Sequence, residues 1–462
     1  MGRLTTRHIT GSNQRTLLRR GYSYRADGNL LAIDDEATGP RTFTLDSASR
    51  ITVVDAASWS ERYAYDEAGN QTSASWPEQL GAEATGERTY TGTRITRAGR
   101  VRYEHDAQGR VTLRQKTRLS RKPDTWRYTW DADDRLTEVT TPDGTRWRYR
   151  YDALGRRAAK QRLTSIDASR KASAQPDRVD EVAEETVFTW DGPTLIEQTT
   201  RSAGSPHEVT LSWTHSGLHP LTQVESIRRS SQAAQEEIDS RFFAIVTDLV
   251  GTPTELIDEQ GEVAWRTRST VWGTTSWNRD ASAYTPLRFP GQYHDPETGL
   301  HHNYFRTYDP ETARYLAGDP LGLAPSPNPV AYVINPLVWA DPLGLSPCPE
   351  KGEEQKALPP ARREPPHLEG SPILARFAKP GEEFNMVISQ GQTRPGGFGT
   401  FDGVPNQQYV RDQLAVRTDW KDDVSLLQRY RIRTVTQSSS RRASSDPRWT
   451  RSLAICPAAG LK

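Results

Sequence analysis

Tyr149-Arg150-Tyr151-Asp152-Ala153-Leu154-Gly155-Arg156 is the stretch that decides the fold, because its pattern returns along the chain. Tyr63-Ala64-Tyr65-Asp66 with Gly69-Asn70, and Tyr103-Glu104-His105-Asp106 with Gly109-Arg110, are the other clear copies. Looser ones stand at Tyr22-Ser23-Tyr24, Phe43-Thr44-Leu45-Asp46, Tyr128-Thr129-Trp130-Asp131 and Phe188-Thr189-Trp190-Asp191. They recur at roughly twenty residues or twice that, the range of stacked-repeat architectures. Alternation in Tyr-x-Tyr puts both rings on one face of a strand. The aspartate begins a turn, the glycine supplies a positive φ, and Arg-Val or Arg-Leu opens the return strand. Each unit therefore reads as a β-hairpin. A lone hairpin is marginal in water, so neighbours must pair edge to edge and grow a long sheet with aromatic rows packed across strands. An ordinary β-meander that serves stability alone is the other reading of this pattern.

Composition agrees with an open β architecture. The chain has 462 residues, enough for two or three domains, yet only 34% are apolar and the mean hydropathy is −0.77, which fits an extended or hollow sheet better than one compact globule. Rings carry much of the apolar content, with 13 Trp and 17 Tyr beside 10 Phe, and large amphipathic rings suit half-buried sheet faces. A net charge of +1 provides no global field for nucleic acid or membranes. Cys348 and Cys456 are the only cysteines, which excludes a disulfide framework and a clustered-cysteine metal site. Residues up to Thr10 lack the apolar core of a signal peptide, and no stretch reaches the apolar length of a membrane span, so any exit from the cell is expected by another route.

Two identical pentads, Asp319-Pro320-Leu321-Gly322-Leu323 and Asp341-Pro342-Leu343-Gly344-Leu345, stand close together. Each places an aspartate before a proline that lacks an N–H, and a glycine where the chain can turn sharply. Such a pair either holds two carboxylates near one peptide bond or is a turn used twice, since Asp-Pro and Leu-Gly are ordinary turn formers. Asn335-Pro336 between them reads as a further turn. His301-His302 is expected to be structural, because neighbours on a strand point to opposite faces and cannot easily share a metal.

On these residues the chain resembles the Rhs family. The hairpin units resemble its YD repeats, and the dense segment from Phe289-Pro290-Gly291-Gln292-Tyr293 through Asp319-Pro320-Leu321-Gly322-Leu323 resembles the Rhs-associated core; the match runs from near the start to Leu345. The resemblance implies a mainly β fold in which YD-repeat hairpins form part of a spiralling, shell-like sheet around a C-terminal toxin. It also implies a chain that cuts itself just after the second pentad by an aspartate-assisted route. Carried onto this sequence, Asp319 and Asp341 are the catalytic candidates and Leu345–Ser346 is the bond cut, with no metal. Two carboxylates sharing a proton would supply an acid beside a base, and the tethered substrate needs no binding step. Arg314 is the candidate to orient a carboxylate by a bidentate contact, a structural ion pair being its alternative role.

The expected organisation is a repeat region at 1–241, the core at 242–345, a charged and proline-rich linker at 346–371, and a variable toxin-like domain at 372–462. Within the first part, Arg162 to Glu185 and Arg228 to Asp239 read as solvated insertions, and Phe242 to Leu256 reads as strand, glycine turn and strand. The last part reads as small α+β, with a strand over Phe384 to Ser389, a short helix around Tyr409 to Val416, and a helix or strand ending at Ile432. Its Gly396-Gly397-Phe398-Gly399-Thr400-Phe401 run is either a simple turn or a loop that lets backbone approach a phosphate.

This tail weakly resembles small NAD-consuming toxins of the ADP-ribosyltransferase or NAD-glycohydrolase type, which implies NAD as its substrate, with Arg376, Arg394, Gly397 and Thr400 as contacts. Those toxins usually end with a catalytic glutamate, whereas no acidic residue follows Asp446 here. Read one frame over, the codons for Cys456 to Lys462 permit a glycine-rich run, so a frameshift after Ile432 that disrupts the domain beyond about residue 433 is expected. Met1 enters within a repeat pattern, so a longer shell upstream is expected as well. The resemblance further implies an interbacterial polymorphic toxin, cytoplasmic in its producer and delivered by contact-dependent or type VI secretion, with an immunity protein and a secretion adaptor as partners. The rival expectation is a non-enzymatic surface protein whose exposed tyrosines bind carbohydrate.

Overall fold

A computed structural model describes residues 3–11, 15–164, 181–229, 237–349, 383–388 and 426–431. The hairpin unit is held by its own aspartate. Strands Arg146–Tyr151 and Arg157–Leu163 pair antiparallel, and between them Asp152 Oδ1 accepts the backbone N–H of Leu154 at 2.9 Å and of Arg156 at 3.0 Å. Its Oδ2 accepts Arg156 Nε–H at 2.7 Å, and Gly155, at φ +79°, closes the turn onto the Asp152 carbonyl. The same clasp joins Asp46 to Arg50, Asp106 to Arg110 and Asp131 to Arg135, while Asp66 uses Asn70. Where the looser copies lack glycine, Ser49 and Asp134 take the positive φ themselves, at 64° and 60°.

Neighbouring units are stitched in both directions. The second aromatic of a unit reaches back: the Tyr65 and Tyr151 hydroxyls donate to the carbonyls of Ile51 and Leu136, and Trp130 and Trp190 Nε1–H donate to those of Val111 and Arg157, all at 2.8 Å. In each case the acceptor directly follows the clasping arginine of the preceding hairpin. That arginine reaches forward, Arg50 and Arg110 donating to the carbonyls of Asp66 and Asp131, and Arg50 and Arg135 lie 4.8 and 5.5 Å from the Tyr65 and Tyr151 ring centres. The first aromatics, Tyr63, Tyr103, Tyr128, Tyr149 and Phe188, form the buried row.

The hairpins join into a sheet of 23 strands from Thr6–Thr10 to Thr275–Trp277, each pairing antiparallel with the next along the chain. The sheet curls until its start meets its later strands. Leu18 packs with Val246 and Ile257, Arg20 Nη2 bonds Glu255 at 2.5 Å, and Arg15 Nη1 bonds Glu262 at 2.7 Å. Phe242 to Leu256 is strand, Gly251 turn and strand as expected, inside this same sheet. The expected boundary at residue 241 thus falls within the strand Glu237–Thr247.

The two charge-rich segments are shorter insertions than their composition suggests. Strands Arg157–Leu163 and Val182–Asp191 pair, with Gln161 Nε2 donating to Glu185 at 2.6 Å and Arg162 lying 3.6 Å from Glu184, and strands His219–Arg229 and Glu237–Thr247 pair likewise. Opposite charges facing each other across a ladder let a polar run remain strand. Residues 165–180 and 230–236 lie outside the described residues. In the tail, strands Glu383–Ile388 and Leu426–Arg431 pair antiparallel, so the segment ending near residue 432 is strand rather than helix. The expected helix at 409–416 lies outside the described residues. Among the described residues no helix is long and apolar enough to cross a membrane.

Asp152→Ala removes both arms of a clasp and should lower unfolding stability by about 1–2 kcal/mol, while Tyr151→Phe, which loses one stitch, should cost about 1 kcal/mol. Urea midpoints at unchanged m-value check both.

Candidate functional site

Against the buried aromatic row lies a second, small sheet, Tyr293–Asp295, Leu300–Asn303, Arg306–Asp309 and Arg314–Tyr315, antiparallel in chain order. Its first and third turns are two Asp-Pro-Glu-Thr runs, 295–298 and 309–312, so both emerge at one end of the sheet. They meet cations of the hairpin wall. Asp295 accepts Arg157 Nη1 at 2.8 and 2.7 Å, and Lys160 Nζ lies 3.4 Å from Asp295 and 3.0 Å from Glu297. Glu311 accepts Lys116 Nζ at 2.7 Å, and the Glu311 and Thr312 carbonyls accept the Arg88 guanidinium at 2.7 and 3.1 Å. Burial pushes the Glu311 carboxyl up, but Lys116 and Arg114 outweigh it and hold the group below the ordinary range. At Asp295 Arg157 and Lys160 likewise prevail over burial, whereas at Glu297 burial prevails and its carboxyl is raised.

The middle turn, at the opposite end, carries Arg306. Its Nη2 lies 2.8 Å from Asp319 Oδ2 and 3.2 Å from Asp341 Oδ2, so both pentads converge on one guanidinium. All three side chains are at least nine-tenths buried. Asp341 is held from every side. Its Oδ2 accepts the Tyr315 hydroxyl at 2.8 Å, its Oδ1 accepts the Leu345 N–H at 2.8 Å, and its carbonyl accepts Asn303 Nδ2 at 2.8 Å. Arg306 Nε donates to the Gly344 carbonyl, the Phe305 N–H to that of Leu343 at 3.2 Å, and the guanidinium stacks 3.6 Å from the Tyr315 ring centre. Burial, reinforced by the Asp341 charge, pushes the Tyr315 hydroxyl far above the phenol range, which keeps its proton available for donation.

Asp319 is the freer partner. Beyond Arg306 it accepts the Leu321 N–H at 2.8 Å, and burial raises its carboxyl above the ordinary range despite Arg306, with the Asp341 charge adding to the rise. It lines a recess of about 10 Å³, room for about one water, together with Arg306, Tyr332, Leu345 and Pro347. Leu345 and Pro347, on either side of Ser346, thus both line that recess, Leu345 buried and Ser346 exposed.

The carboxylates meet at a guanidinium, and a buried cation between two acids removes most of their repulsion. Arg314 is elsewhere: its Nη1 donates to Asn70 Oδ1 at 2.7 Å, its Nη2 to the Thr93 carbonyl, and it lies 5.0 Å from the Tyr90 ring centre, so it ties the small sheet to the wall. Arg306, absent from the expected set, makes the contact with the pentad carboxylates that was expected of Arg314. Its signal was the middle turn between the Asp-Pro-Glu-Thr runs. His301 and His302 are both buried, His301 Nδ1 with Gln292 Oε1 at 2.7 Å and His302 beside the Tyr151 ring. Asn335 caps a buried turn through Leu337 and Trp339. Arg376, Arg394, Gly397 and Thr400 lie outside the described residues. In the described repeats the first ring of each unit is buried and the second half-buried.

A wall of stitched hairpins closed on a buried acidic core defines a β-shell protein of repeat origin. The families described as RHS Repeat and RHS protein match residues 130–168 and 243–277. The chain belongs to the Rhs repeat family. It is 32% identical over 347 residues to double-stranded DNA deaminase toxin A of Burkholderia cenocepacia, covering 72% of this chain and 22% of that one. It is also 32% identical over 340 residues to the probable deoxyribonuclease RhsA of Dickeya dadantii, covering 70% and 22%. This chain therefore spans about a fifth of the length of these relatives. The Photorhabdus luminescens Tc holotoxin pore superposes at TM-score 0.57 and 19% identity, over 75% of this chain and 18% of that one, which shows the shared shell fold.

The two pentad glycines, at φ +68° and +69°, should respond unequally to alanine. A Cβ on Gly344 would stand 2.6 Å from the Asn303 carbonyl oxygen and 3.2 Å from Arg306 Cβ, whereas one on Gly322 meets nothing within 4 Å. Gly322→Ala should cost about 1–2 kcal/mol of left-handed strain and Gly344→Ala clearly more, read from urea unfolding.

Proposed function

We propose that this chain is the shell-and-core part of an Rhs toxin that hydrolyses its own Leu345–Ser346 bond once, freeing the tail from residue 346 onward. The observation that carries the reading is the convergence of Asp319 and Asp341 on Arg306, beside a recess that Leu345 itself lines. Asp341 fixes the substrate strand: its carboxylate grips the Leu345 N–H while Arg306 and Asn303 grip the carbonyls at Gly344 and Asp341. Asp319 moves the proton. As a base it takes a proton from a water in the recess, and the water oxygen bonds to the Leu345 carbonyl carbon. The C–N bond then breaks, and Asp319 returns the proton to the Ser346 nitrogen, leaving a Leu345 carboxyl and a Ser346 amine. The tether supplies the proximity that a diffusing protease must obtain by binding.

The freed tail is the toxin-bearing part of this reading. The matched relatives bear names of different chemistries, a deaminase and a deoxyribonuclease, so a common wall does not dictate what the tail does. NAD consumption through Arg376, Arg394, Gly397 and Thr400 is the proposed reaction. Delivery into competing cells, with an immunity protein and a secretion adaptor as partners, completes the proposal.

Purified full-length chain should yield a fragment beginning at Ser346 by intact mass, and Asp319→Asn should remain whole while still unfolding in one cooperative urea transition; persistence of uncut parental chain would sink the reading. Because Asp319 must be ionised to accept the water proton, the rate should fall on acidification, with a midpoint above that of an ordinary aspartate.

A further inference from the structure

The paired Asp-Pro-Glu-Thr turns suggest a use beyond packing. Four strands in meander order put the first and third turns at one end and the middle turn at the other. The acidic turns therefore hold one end of the small sheet, and Arg306 projects from the other, about 10 Å away across the four-residue strand Arg306–Asp309. The anchoring cations all come from the hairpin wall: Arg157 and Lys160 for Asp295 and Glu297, Arg88 and Lys116 for the turn at Glu311. These anchors are nearly as buried as the site itself: Arg157 and Lys160 are 0% and 4% exposed at the side chain, Lys116 14%. Leaving either acidic turn buried without its cations would be costly, so the small sheet takes this position only against a folded wall. The wall strands that provide them precede the core by more than a hundred residues, as in Lys160 with Glu297 and Lys116 with Glu311.

We propose that the wall licenses cleavage: through these cations the folded repeats position Arg306 over the two aspartates, so that the chain is cut only once the hairpins have closed on the core. Arg88, Lys116, Arg157 and Lys160 are positioning residues for a reaction they never touch. The proposal rests on the self-cleavage reading and adds a control to it. Two acidic turns on two separate basic pairs make the control a coincidence check, since each reports a different stretch of wall, Arg88 to Lys116 or Arg157 to Lys160.

The test follows the full chain by intact mass, timing the appearance of the fragment beginning at Ser346. Lys116→Glu should slow cleavage by about a hundredfold, the order expected when a reacting group is displaced by about 1 Å. Lys116→Arg, which keeps a cation on the carboxylate that Arg114 also faces, should retain most of the rate. Lys160→Met tests the second anchor and should slow cleavage with the pH dependence of the remaining activity unchanged, since Asp319 is untouched. Cleavage of Lys116→Glu and Lys160→Met at the parental rate would overturn the proposal, as would a loss in Lys116→Arg equal to that in Lys116→Glu. An uncut parental chain would instead overturn the self-cleavage reading, and this proposal with it, which separates the two failures.

Discussion

The structure depends on the bonds by which Tyr65, Trp130, Tyr151 and Trp190 reach back to the carbonyl that follows the preceding clasp. Isolated hairpins of five or six residues per strand do not persist in water, and ladder bonds alone leave their relative twist loose. A tyrosine or tryptophan donor fixed at 2.8 Å to a defined carbonyl sets both register and angle between units. With the angle repeated, curvature accumulates, and the sheet comes round until Arg20 finds Glu255. Only a curved wall brings Arg114, Lys116, Arg157 and Lys160 to face one small buried sheet. Everything at the pentads follows from that enclosure, because two carboxylates and one guanidinium could not be held so dry on an open surface.

Most of the wall was legible because its rule is local. Tyr-x-Tyr-Asp with a glycine three residues on specifies strand, turn and return within a few residues, and the clasp at Asp152 and Arg156 needs no distant partner. The looser copies were legible too, although Ser49 and Asp134 had to accept the backbone conformation that glycine adopts freely. The stitch itself was not, since the sequence indicates that a ring is amphipathic but not which carbonyl its donor meets. Charge-rich ends of strands, such as Arg162 and Glu184, passed for loop because composition alone cannot reveal a partner across a ladder.

At the core, the duplicated pentads pointed to two aspartates that the fold brings onto one guanidinium, since an exact repeat is visible without three-dimensional information. The arginine did not emerge in the same way. Arg314 is near the first pentad in sequence, yet its strand directs it to Asn70 and Thr93, while Arg306, farther from that pentad, lies on the turn that faces both acids. The order of strands in a meander decides which turns share an end, and only pairing reveals it. The repeated Asp-Pro-Glu-Thr runs were legible as a repeat, but their meaning lies in cations contributed by strands far upstream.

The place where the curl returns on itself differs in kind from the rest of the wall. Leu18, Arg15 and Arg20 meet Val246, Ile257, Glu262 and Glu255 through side chains, with no ladder pairing across that line among the described residues. Such a seam resists tension less than a hydrogen-bonded edge does. Under mechanical load it would part first, and the wall would then peel away hairpin by hairpin like a zip opened from one end.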